Sequence, residues 1–326
     1  QKLARDVIGT PHVDFSQAAP NRAAAKAIEA AFGTGALPAD MINIALSDVV
    51  VCVAGDLESS HNVAALRIKD AITGNPAAPR NGRLVLVSSQ CGELADFAEP
   101  YGGVWLRCRP GDEAAVVDAL SKNEVGAEVA MPLVSGDEEA ARRVLDTARD
   151  EKKTVSIIYA PSPVDVVAAG NGARAAANLA IALRGEKAAE SLYVLPTEAN
   201  VNGARDMGVD PERGPGRVAL AQPGMDFDAM IDAAISGTLK AMIVVGDNPP
   251  MFAPDRARVQ KALEGLDVLI VIDSLLTDTA KAAHAVLADV PSYGKTGTYT
   301  NAERRVNRMH AALAALGDAR PALLAL

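Results

Sequence analysis

Short apolar runs that end in polar turns constrain the fold of this chain more than any other feature. The run Ala241–Val245 stops at a Gly-Asp-Asn-Pro turn (246–249), and a charged helical stretch over Asp255–Glu264 follows. A second apolar run over Leu266–Ile272 then ends at Asp273. This pattern predicts strand, turn, helix and strand. In open parallel sheets, ligands bind at the carboxyl ends of the strands, where such turns collect.

The same alternation runs through the first two thirds of the chain. The predicted strands are Asp48–Gly55, Arg83–Val87, Val104–Arg109, Thr154–Tyr159 and Ser191–Leu195, and the predicted helices are Asn21–Ala31, Asn62–Ile72, Gly136–Ala148 and Val164–Leu183. Asp112 is predicted to cap a further helix that ends at Leu120. Strands that alternate with helices favour parallel α/β layers.

Composition excludes several classes of protein. With 326 residues, of which 49% are hydrophobic, the chain can bury a sizeable core, and two domains are the natural expectation. The formal charge of −9 argues against nucleic-acid binding, which depends on Lys and Arg to neutralise phosphates. We read no apolar run as approaching the roughly 20 residues that span a bilayer, and therefore expect no direct membrane insertion.

Cysteine usage argues against a metal cluster in these residues. Cys52, Cys91 and Cys108 show no CxxC spacing and are too few for a four-thiolate iron–sulfur cluster. We expect free thiols in a reducing cytoplasm. No signal peptide is visible, and a start at Gln1 rather than Met leads us to expect a piece of a longer polypeptide.

Three longer patterns are specific enough to indicate a family. They are Gly-Thr-Tyr-Thr-Asn-Ala-Glu-Arg-Arg-Val (297–306), Asn-Val-Asn-Gly-Ala-Arg-Asp-Met-Gly (200–208), and Gln-Lys-x-x-Arg-x-x-x-Gly-Thr (1–10). Together with the Gly-Asp-Asn-Pro turn, they resemble the molybdopterin oxidoreductases, which include formate dehydrogenases and the G-type large subunit of respiratory complex I. The resemblance covers essentially the whole chain and corresponds to the two central α/β domains of that family.

The resemblance implies a fold and a cofactor. The fold is α/β, with two Rossmann-like parallel-sheet domains around a cleft, and we expect the domains to be 1–196 and 197–326. In the family, such domains hold a bis-molybdopterin guanine dinucleotide, while iron–sulfur clusters lie elsewhere in the polypeptide. The residues carried over as candidate cofactor contacts are Asn200, Asp206, Gly246, Asp247, Asn248, Asp273, Thr277, Thr279, Lys295, Gly297 and Thr298.

Several residues depart from the family pattern. The stretch where catalytic relatives place a metal-binding Cys, followed by His, is 13–20 here, and it contains neither residue. Ser16 is the remaining candidate ligand there, the alternative being a polar turn before a helix. Pro196 replaces an active-site arginine, and Leu57 and Glu58 replace the Asn-Pro of a first turn. Asp56 and Glu58 add negative charge where a pyrophosphate needs donors.

Structural roles stay open for some of the candidates. Thr277 is also suited to cap a helix over 278–283, and Lys295 to lie in solvent as a loop lysine. His61 is expected to be a surface or capping residue rather than a ligand.

Three functional hypotheses follow. The first is a non-catalytic region of an NADH-quinone oxidoreductase G-type subunit, without a catalytic residue, metal ligand or cofactor of its own. It would dock other subunits of a respiratory complex, in the cytoplasm and peripheral to the inner membrane. The second is a catalytic fragment of a molybdenum formate dehydrogenase that binds the bis-pterin cofactor. The third is a redox-inert nucleotide-binding or interaction module.

Overall fold

The computed structural model describes residues 1–37, 40–74, 81–122 and 131–325, arranged in two compact units. The six-stranded unit comprises Pro20–Glu198 and Ala302–Arg304. The three-stranded unit comprises Gln1–Ala19, Ala199–Asn301 and Arg305–Leu326. Both contain parallel sheets, so the predicted α/β class is confirmed. The predicted domain limits of 1–196 and 197–326 stay a prediction.

Strands and helices alternate in the six-stranded unit as the sequence predicts. Its elements are α1 (Ala18–Phe32), α2 (Ile42–Ala45), β1 (Val49–Val53), α3 (Leu57–Ser60), α4 (Asn62–Thr73), β2 (Arg83–Ser88), α5 (Glu93–Ala98), β3 (Val104–Cys108), α6 (Glu113–Ser121), β4 (Leu133–Ser135), α7 (Glu138–Ala148), β5 (Val155–Tyr159), α8 (Val166–Arg184), α9 (Ala188–Ser191) and β6 (Leu192–Val194). The strand order is β4-β3-β2-β1-β5-β6, and only β4 runs antiparallel to its neighbour.

Helices cover both faces of this sheet. Val49, Val51 and Val53 of β1 point into a core shared with α1, α6, α7 and α8. Val50 and Cys52 point to the opposite face, into a core shared with α2, α3, α4 and α5. Every residue of β1 is therefore buried, which explains its unbroken apolar sequence.

The longest helix of this unit packs closely against the sheet. A Cβ atom at Gly172 would lie 2.4 Å from the hydroxyl oxygen of Tyr159, so only glycine allows α8 to approach β5 here. The helical stretch Val166–Ser191 is long and apolar enough to span a membrane by length and composition, which corrects our expectation that no such run exists. Half of its most apolar window is buried inside the unit, as in the core helix of an α/β protein.

The three-stranded unit begins with a π-helical segment, Leu3–Ile8, that Gly9 ends in the left-handed conformation. Its other elements are α10 (Val201–Asp206), α11 (Phe227–Ile235), β7 (Ala241–Val245), α12 (Pro249–Phe252), α13 (Arg256–Glu264), β8 (Val268–Asp273), α14 (Asp278–Lys281), β9 (Ala285–Ala288), β10 (Gly297–Thr300), β11 (Val306–Met309) and α15 (Ala322–Ala325). β7, β8 and β9 form a parallel sheet in that order, and β10 and β11 form an antiparallel pair.

Among the described residues, one face of this smaller sheet packs into a continuous core. Val244, Leu269 and Val271 pack against α11 and α13. On the other face, Ile272 is buried, but Ile243 is 41% exposed and Val245 43% exposed. The smaller sheet therefore buries less apolar surface per strand than the larger one.

One predicted cap is wrong. Asp112 precedes α6, but its side chain makes no capping hydrogen bond. The carboxylate of Glu113 instead accepts a hydrogen bond of 2.8 Å from the backbone N–H of Gly111. The acid that serves the start of this helix is therefore one residue further along the chain.

Candidate functional site

The turn after β7 carries three of the candidate residues. Gly246 adopts a left-handed conformation with φ of 59°, which glycine reaches without strain. Its backbone N–H donates to the carbonyl oxygen of Ile272, at the end of the neighbouring strand. Asp247 and Asn248 follow, and Pro249 opens α12 at a position where its missing N–H costs nothing.

The side chain of Asn248 joins this turn to the turn after β8. Its Oδ1 atom accepts hydrogen bonds from the Oγ1 hydroxyl of Thr279 at 2.8 Å and from the backbone N–H of Thr279 at 3.3 Å. Thr279 is 0% exposed, so neither donor has water as an alternative partner. The amide oxygen of Asn248 therefore has a structural role at the carboxyl ends of β7 and β8.

Asp247 holds the residue that the sequence marks as the remaining candidate metal ligand. Ser16 donates its Oγ hydroxyl to Asp247 Oδ1 at 2.8 Å and its backbone N–H to Asp247 Oδ2 at 3.0 Å. A serine that ligates a metal presents its oxygen to the ion. Here the hydroxyl is directed to a carboxylate of the same unit. No signal in the sequence pairs these two residues, which are 231 positions apart.

Asp273 and Thr277 stabilise the chain that follows β8. Asp273 Oδ1 accepts a hydrogen bond from the backbone N–H of Leu275 at 3.0 Å. Thr277 Oγ1 accepts one from the backbone N–H of Ala280 at 3.1 Å, and Thr277 is the N-cap of α14. The structure therefore shows Thr277 as a helix cap, which is the alternative role that the sequence left open.

Lys295 is engaged in an ion pair. Its ammonium group contacts the carboxylate of Asp289, which is buried. The other oxygen of Asp289 accepts hydrogen bonds from the backbone N–H groups of Val290 and Ala322. Asp289 lies just past the short strand β9 and was not among the residues predicted from the sequence. Gly297 and Thr298 begin β10 and pair with Met309 and Arg308 of β11.

Asn200 precedes the short helix α10, and Asp206 is its last residue. Asn200 has a φ of 61°, and its Oδ1 accepts a hydrogen bond of 2.9 Å from the backbone N–H of Thr300. A Cβ at Gly203 would lie 2.1 Å from the same Oδ1 atom, so glycine is required there. Asp206 pairs with Arg217, whose Nε is 2.6 Å from Asp206 Oδ1.

The candidate residues therefore form several separate structural contacts. Asn248 and Thr279 are in direct contact, and Asn200 contacts the strand that carries Thr298. Asp247, Asp273, Thr277, Lys295 and Asp206 each bond to a different residue outside the candidate set. Their assignment as cofactor contacts stays a prediction.

The six-stranded unit contains a crevice at the carboxyl ends of its central strands. Its volume is about 600 Å³, and Val53, Ser89, Tyr159 and Pro110, at or just after the ends of β1, β2, β5 and β3, contribute to its wall. β1 lies between β2 and β5 in the sheet. Such a point, where the order of strands reverses, is the usual ligand position in open α/β sheets.

The crevice is lined by carboxylates. Asp56, Glu113 and Asp165 contribute to its wall, and no Lys or Arg is found among its described lining residues. Asp56 caps α3, and hydrogen bonds from Ser59 hold the pKa of Asp56 below its usual value. Asp165 accepts a hydrogen bond from the backbone N–H of Ala168 at 2.8 Å, at the start of α8. At the N-termini of α3 and α8, carboxylates of the chain thus already occupy the positions where a bound anion such as phosphate would lie.

His61 adds no positive charge to the crevice. Its Nε2 atom is 2.8 Å from the carbonyl oxygen of Pro196, and its Nδ1 atom is 3.0 Å from the hydroxyl of Ser60. Burial lowers the pKa of His61, which favours the neutral ring. His61 precedes α4 without making a side-chain cap, and it lies in the wall of the crevice.

A diphosphate does not suit the crevice. Each phosphate group requires cations or free N–H donors, whereas the lining supplies three carboxylates and a neutral histidine. Within the described residues, no group of three or more His, Cys, Asp or Glu side chains could hold a metal ion. Cys52, Cys91 and Cys108 are free, and burial raises the pKa of Cys52 to about 12, so this thiol is inert.

Comparisons with known proteins assign a family to this geometry. The family model for molybdopterin oxidoreductase matches residues 113–323. The NADPH-Fe(3+) oxidoreductase subunit alpha of Geobacter sulfurreducens is 29% identical over 98% of this chain and 42% of its own length. The F420-dependent formate dehydrogenase 1 subunit alpha of Methanococcus maripaludis is 26% identical over 98% of this chain and 52% of its own length.

A third relative is the second G-type NADH-quinone oxidoreductase subunit of Rhizobium meliloti, which is 29% identical over 95% of this chain and 38% of its own length. The chain thus spans between 38% and 52% of the length of these curated relatives. Among solved structures, the formyltransferase/hydrolase complex of Methylorubrum extorquens matches with a TM-score of 0.62 and 17% identity, over 93% of this chain and 79% of that chain. At that identity the match shows the fold alone.

Proposed function

The chain belongs to the molybdopterin oxidoreductase family, and from that premise we propose that it is a non-catalytic region of an NADH-quinone oxidoreductase G-type subunit. In this proposal it supplies structure and a docking surface to an electron-transfer complex. Iron–sulfur clusters outside these residues carry the electrons. The assembly lies in the cytoplasm, peripheral to the inner membrane.

The use of Ser16 is the observation that carries this proposal. Family resemblance places the metal ligand in the segment 13–20, where Ser16 is our candidate. Its hydroxyl hydrogen and its backbone N–H are both donated to Asp247. To bind a metal, the hydroxyl would have to leave the carboxylate, and Asp247 would then lose a hydrogen-bond donor.

The environment of the other candidate residues supports the same proposal. The side chains of Asn248, Asp273, Thr277 and Asn200 bond to backbone N–H groups of their own unit. Contacts of this kind give a residue a role in the fold that requires no cofactor. The carboxylate-lined crevice of the six-stranded unit adds a charge of the wrong sign for a dinucleotide.

A formate dehydrogenase fragment that binds bis-molybdopterin guanine dinucleotide is the second candidate. The relative from Methanococcus maripaludis and the intact Gly-Asp-Asn-Pro turn favour it. In that case Gly246, Asn248 and Thr277 would offer the amides and hydroxyls for one dinucleotide. A redox-inert nucleotide-binding or interaction module is the third candidate, favoured only by the sheet architecture.

The full-length polypeptide, isolated with its natural partners, distinguishes these candidates. We expect NADH oxidation coupled to a soluble quinone, and no reduction of a viologen dye by formate. We also expect Ser16→Ala to leave the rate of NADH oxidation per folded complex unchanged. Formate-dependent dye reduction that Ser16→Ala abolishes would instead establish the second candidate. Absence of both activities, together with guanine nucleotide binding, would favour the third.

A further inference from the structure

A second cavity lies at the opposite end of the six-stranded sheet from the crevice. It has a volume of about 640 Å³ and is lined by Arg83 and Val104 at the amino ends of β2 and β3, by the loop Pro100–Gly102, and by α7. We call it the amino-edge cleft. Its volume falls in the range of roughly 300–1,000 Å³ that is typical of small-molecule sites.

The charge of the amino-edge cleft is opposite to that of the crevice. Arg83 and Arg143 line it, and no Asp or Glu is found among its described lining residues. The chain as a whole carries a formal charge of −9, so the charge of this lining is opposite in sign to the net charge of the protein. Arg83 has no ion pair among the described residues, and the partners of Arg143, Glu139 and Asp137, lie outside the lining, so the two guanidinium groups favour a ligand with negative charge.

The guanidinium of Arg83 is positioned by the backbone. Its Nη1 atom donates to the carbonyl oxygen of Tyr101 at 2.9 Å. The next residue, Gly102, has a φ of 75°, a left-handed conformation that favours glycine. Among the described residues, no carboxylate lies within ion-pair distance of Arg83. Its other N–H groups therefore remain available in a fixed geometry that matches carboxylate and phosphate oxygens.

Arg143 is available to a ligand for a different reason. It pairs with Glu139 at 2.7 Å and with Asp137 at 4.0 Å, but all three side chains are at least 60% exposed. An exposed pair of this kind contributes little to stability and is screened by salt. A ligand anion in the cleft can therefore replace the surface carboxylates as the partner of Arg143 with little loss of protein stability.

An aromatic side chain completes the wall. Tyr101 lies in the cleft, and its ring stacks on that of Phe97 with the centroids 5.7 Å apart. The stack holds the tyrosine in place in the wall of the cleft. A flat organic body fits such a wall better than a hydrated inorganic ion does.

We propose that the amino-edge cleft binds a small, flat organic dianion, which Arg83 and Arg143 hold through two carboxylate or phosphate groups. The site lies at the edge of the sheet away from the crevice and uses none of the candidate cofactor residues. It does not depend on the proposed function, and either can fail without the other.

The test is calorimetric titration of the 326-residue chain with isophthalate, at low salt. We expect a Kd below about 1 mM, which is within reach of two charged contacts. Arg83→Gln should weaken binding by at least about tenfold, and so should Arg143→Gln, since each removes hydrogen bonds to a charged group. Arg174→Gln is the matched control, because it removes the same charge from an exposed residue of α8 outside the cleft.

The proposal is overturned if isophthalate does not bind, or if Arg174→Gln weakens binding as much as the two cleft variants do. It is also overturned if the uncharged analogue isophthalamide binds equally well. Arg83→Gln also loses the contact with Tyr101, so Arg143→Gln decides the outcome if Arg83→Gln fails to fold. Arg143 is exposed, and its replacement should leave the fold intact.

Discussion

Two turns of this chain each follow a strand of a parallel sheet, but the hydrogen bonding of their polar side chains differs. After β7, both oxygens of Asp247 accept hydrogen bonds from Ser16, and Asn248 accepts two from Thr279. After β1, both carboxylate oxygens of Glu58 are buried without a hydrogen-bond partner among the described residues. Among those residues, its one ion-pair partner is Lys69, whose Nζ is 3.7 Å from Oε1 of Glu58.

The difference shows how contacts within a unit can preserve a motif independently of any cofactor. The polar side chains of the turn after β7 are held by contacts inside their own unit, so losing them costs stability. The turn after β1 has no such contacts at Glu58, and it is the turn that departs from the family pattern. A retained family motif is therefore weak evidence for a retained cofactor, unless its polar atoms are free to bind one.

The largest effect is expected at Asn248. Asn248→Ala leaves the N–H and hydroxyl of Thr279 without a partner in a fully buried position. We expect the free energy of unfolding to fall by about 2–4 kcal/mol, because an unsatisfied buried polar group costs roughly 1–3 kcal/mol. Urea denaturation of both proteins measures the difference.

Asn178→Ala is the control for that variant. Asn178 is exposed on α8, and the same chemical change there should alter stability by less than about 0.5 kcal/mol. Equal effects of the two variants would remove the contrast between the turns, because Asn248 would then have no special structural role.

A second motif extends the comparison at Gly203. The methyl group of Gly203→Ala would lie 2.1 Å from Asn200 Oδ1, so the hydrogen bond from Thr300 to Asn200 must break or shift. We expect a loss of about 1–3 kcal/mol, measured by thermal and urea denaturation. Gly297→Ala serves as the control, since no atom lies within 4 Å of the added methyl group, and it should be nearly neutral.

A smaller effect is expected at Ser16. Ser16→Ala removes the hydroxyl hydrogen bond to Asp247 but keeps the backbone N–H bond, so the cost should be about 1 kcal/mol. Asp247→Asn with Ser16→Ala completes a double-mutant cycle. A coupling energy of zero between the two positions would show that the contact does not stabilise the turn.

The smallest effect is a pH dependence at the turn after β1. Hydrogen bonds from Ser59 hold the pKa of Asp56 below its ordinary value of 3.8. The unfolded chain therefore binds a proton more readily, so the contribution of Asp56 is present above about pH 4 and is lost as the pH falls through the folded pKa. Asp56→Asn keeps a capping side chain but does not titrate. Its stability should decline less steeply below about pH 4, and an unchanged slope would refute the assignment.

The alternation of strands and helices was predictable because it rests on local patterns. β1, β2, β3, β5, β7 and β8 follow apolar runs, and the family is confirmed together with the α/β class. The short edge strands β4 and β9 were not predicted, since three or four residues give too little periodicity.

The environment of the candidate site was less predictable. The residue choices came from family resemblance and remain predictions, whereas their partners depend on long-range packing. Ser16 and Asp247 are 231 positions apart, and Lys295 pairs with a buried Asp289 that follows an unpredicted strand. The amino-edge cleft is also a product of folding, because β2 and α7 bring Arg83 and Arg143 to one cavity.

Metal content tests the central claim most directly. The full-length polypeptide should be purified from a host that makes molybdopterin cofactors and analysed for molybdenum and tungsten by mass spectrometry. If the retained motifs serve the fold alone, both metals will be far below one atom per chain. About one atom of molybdenum or tungsten per chain, lost together with a bound pterin in the Ser16→Ala variant, would contradict the account.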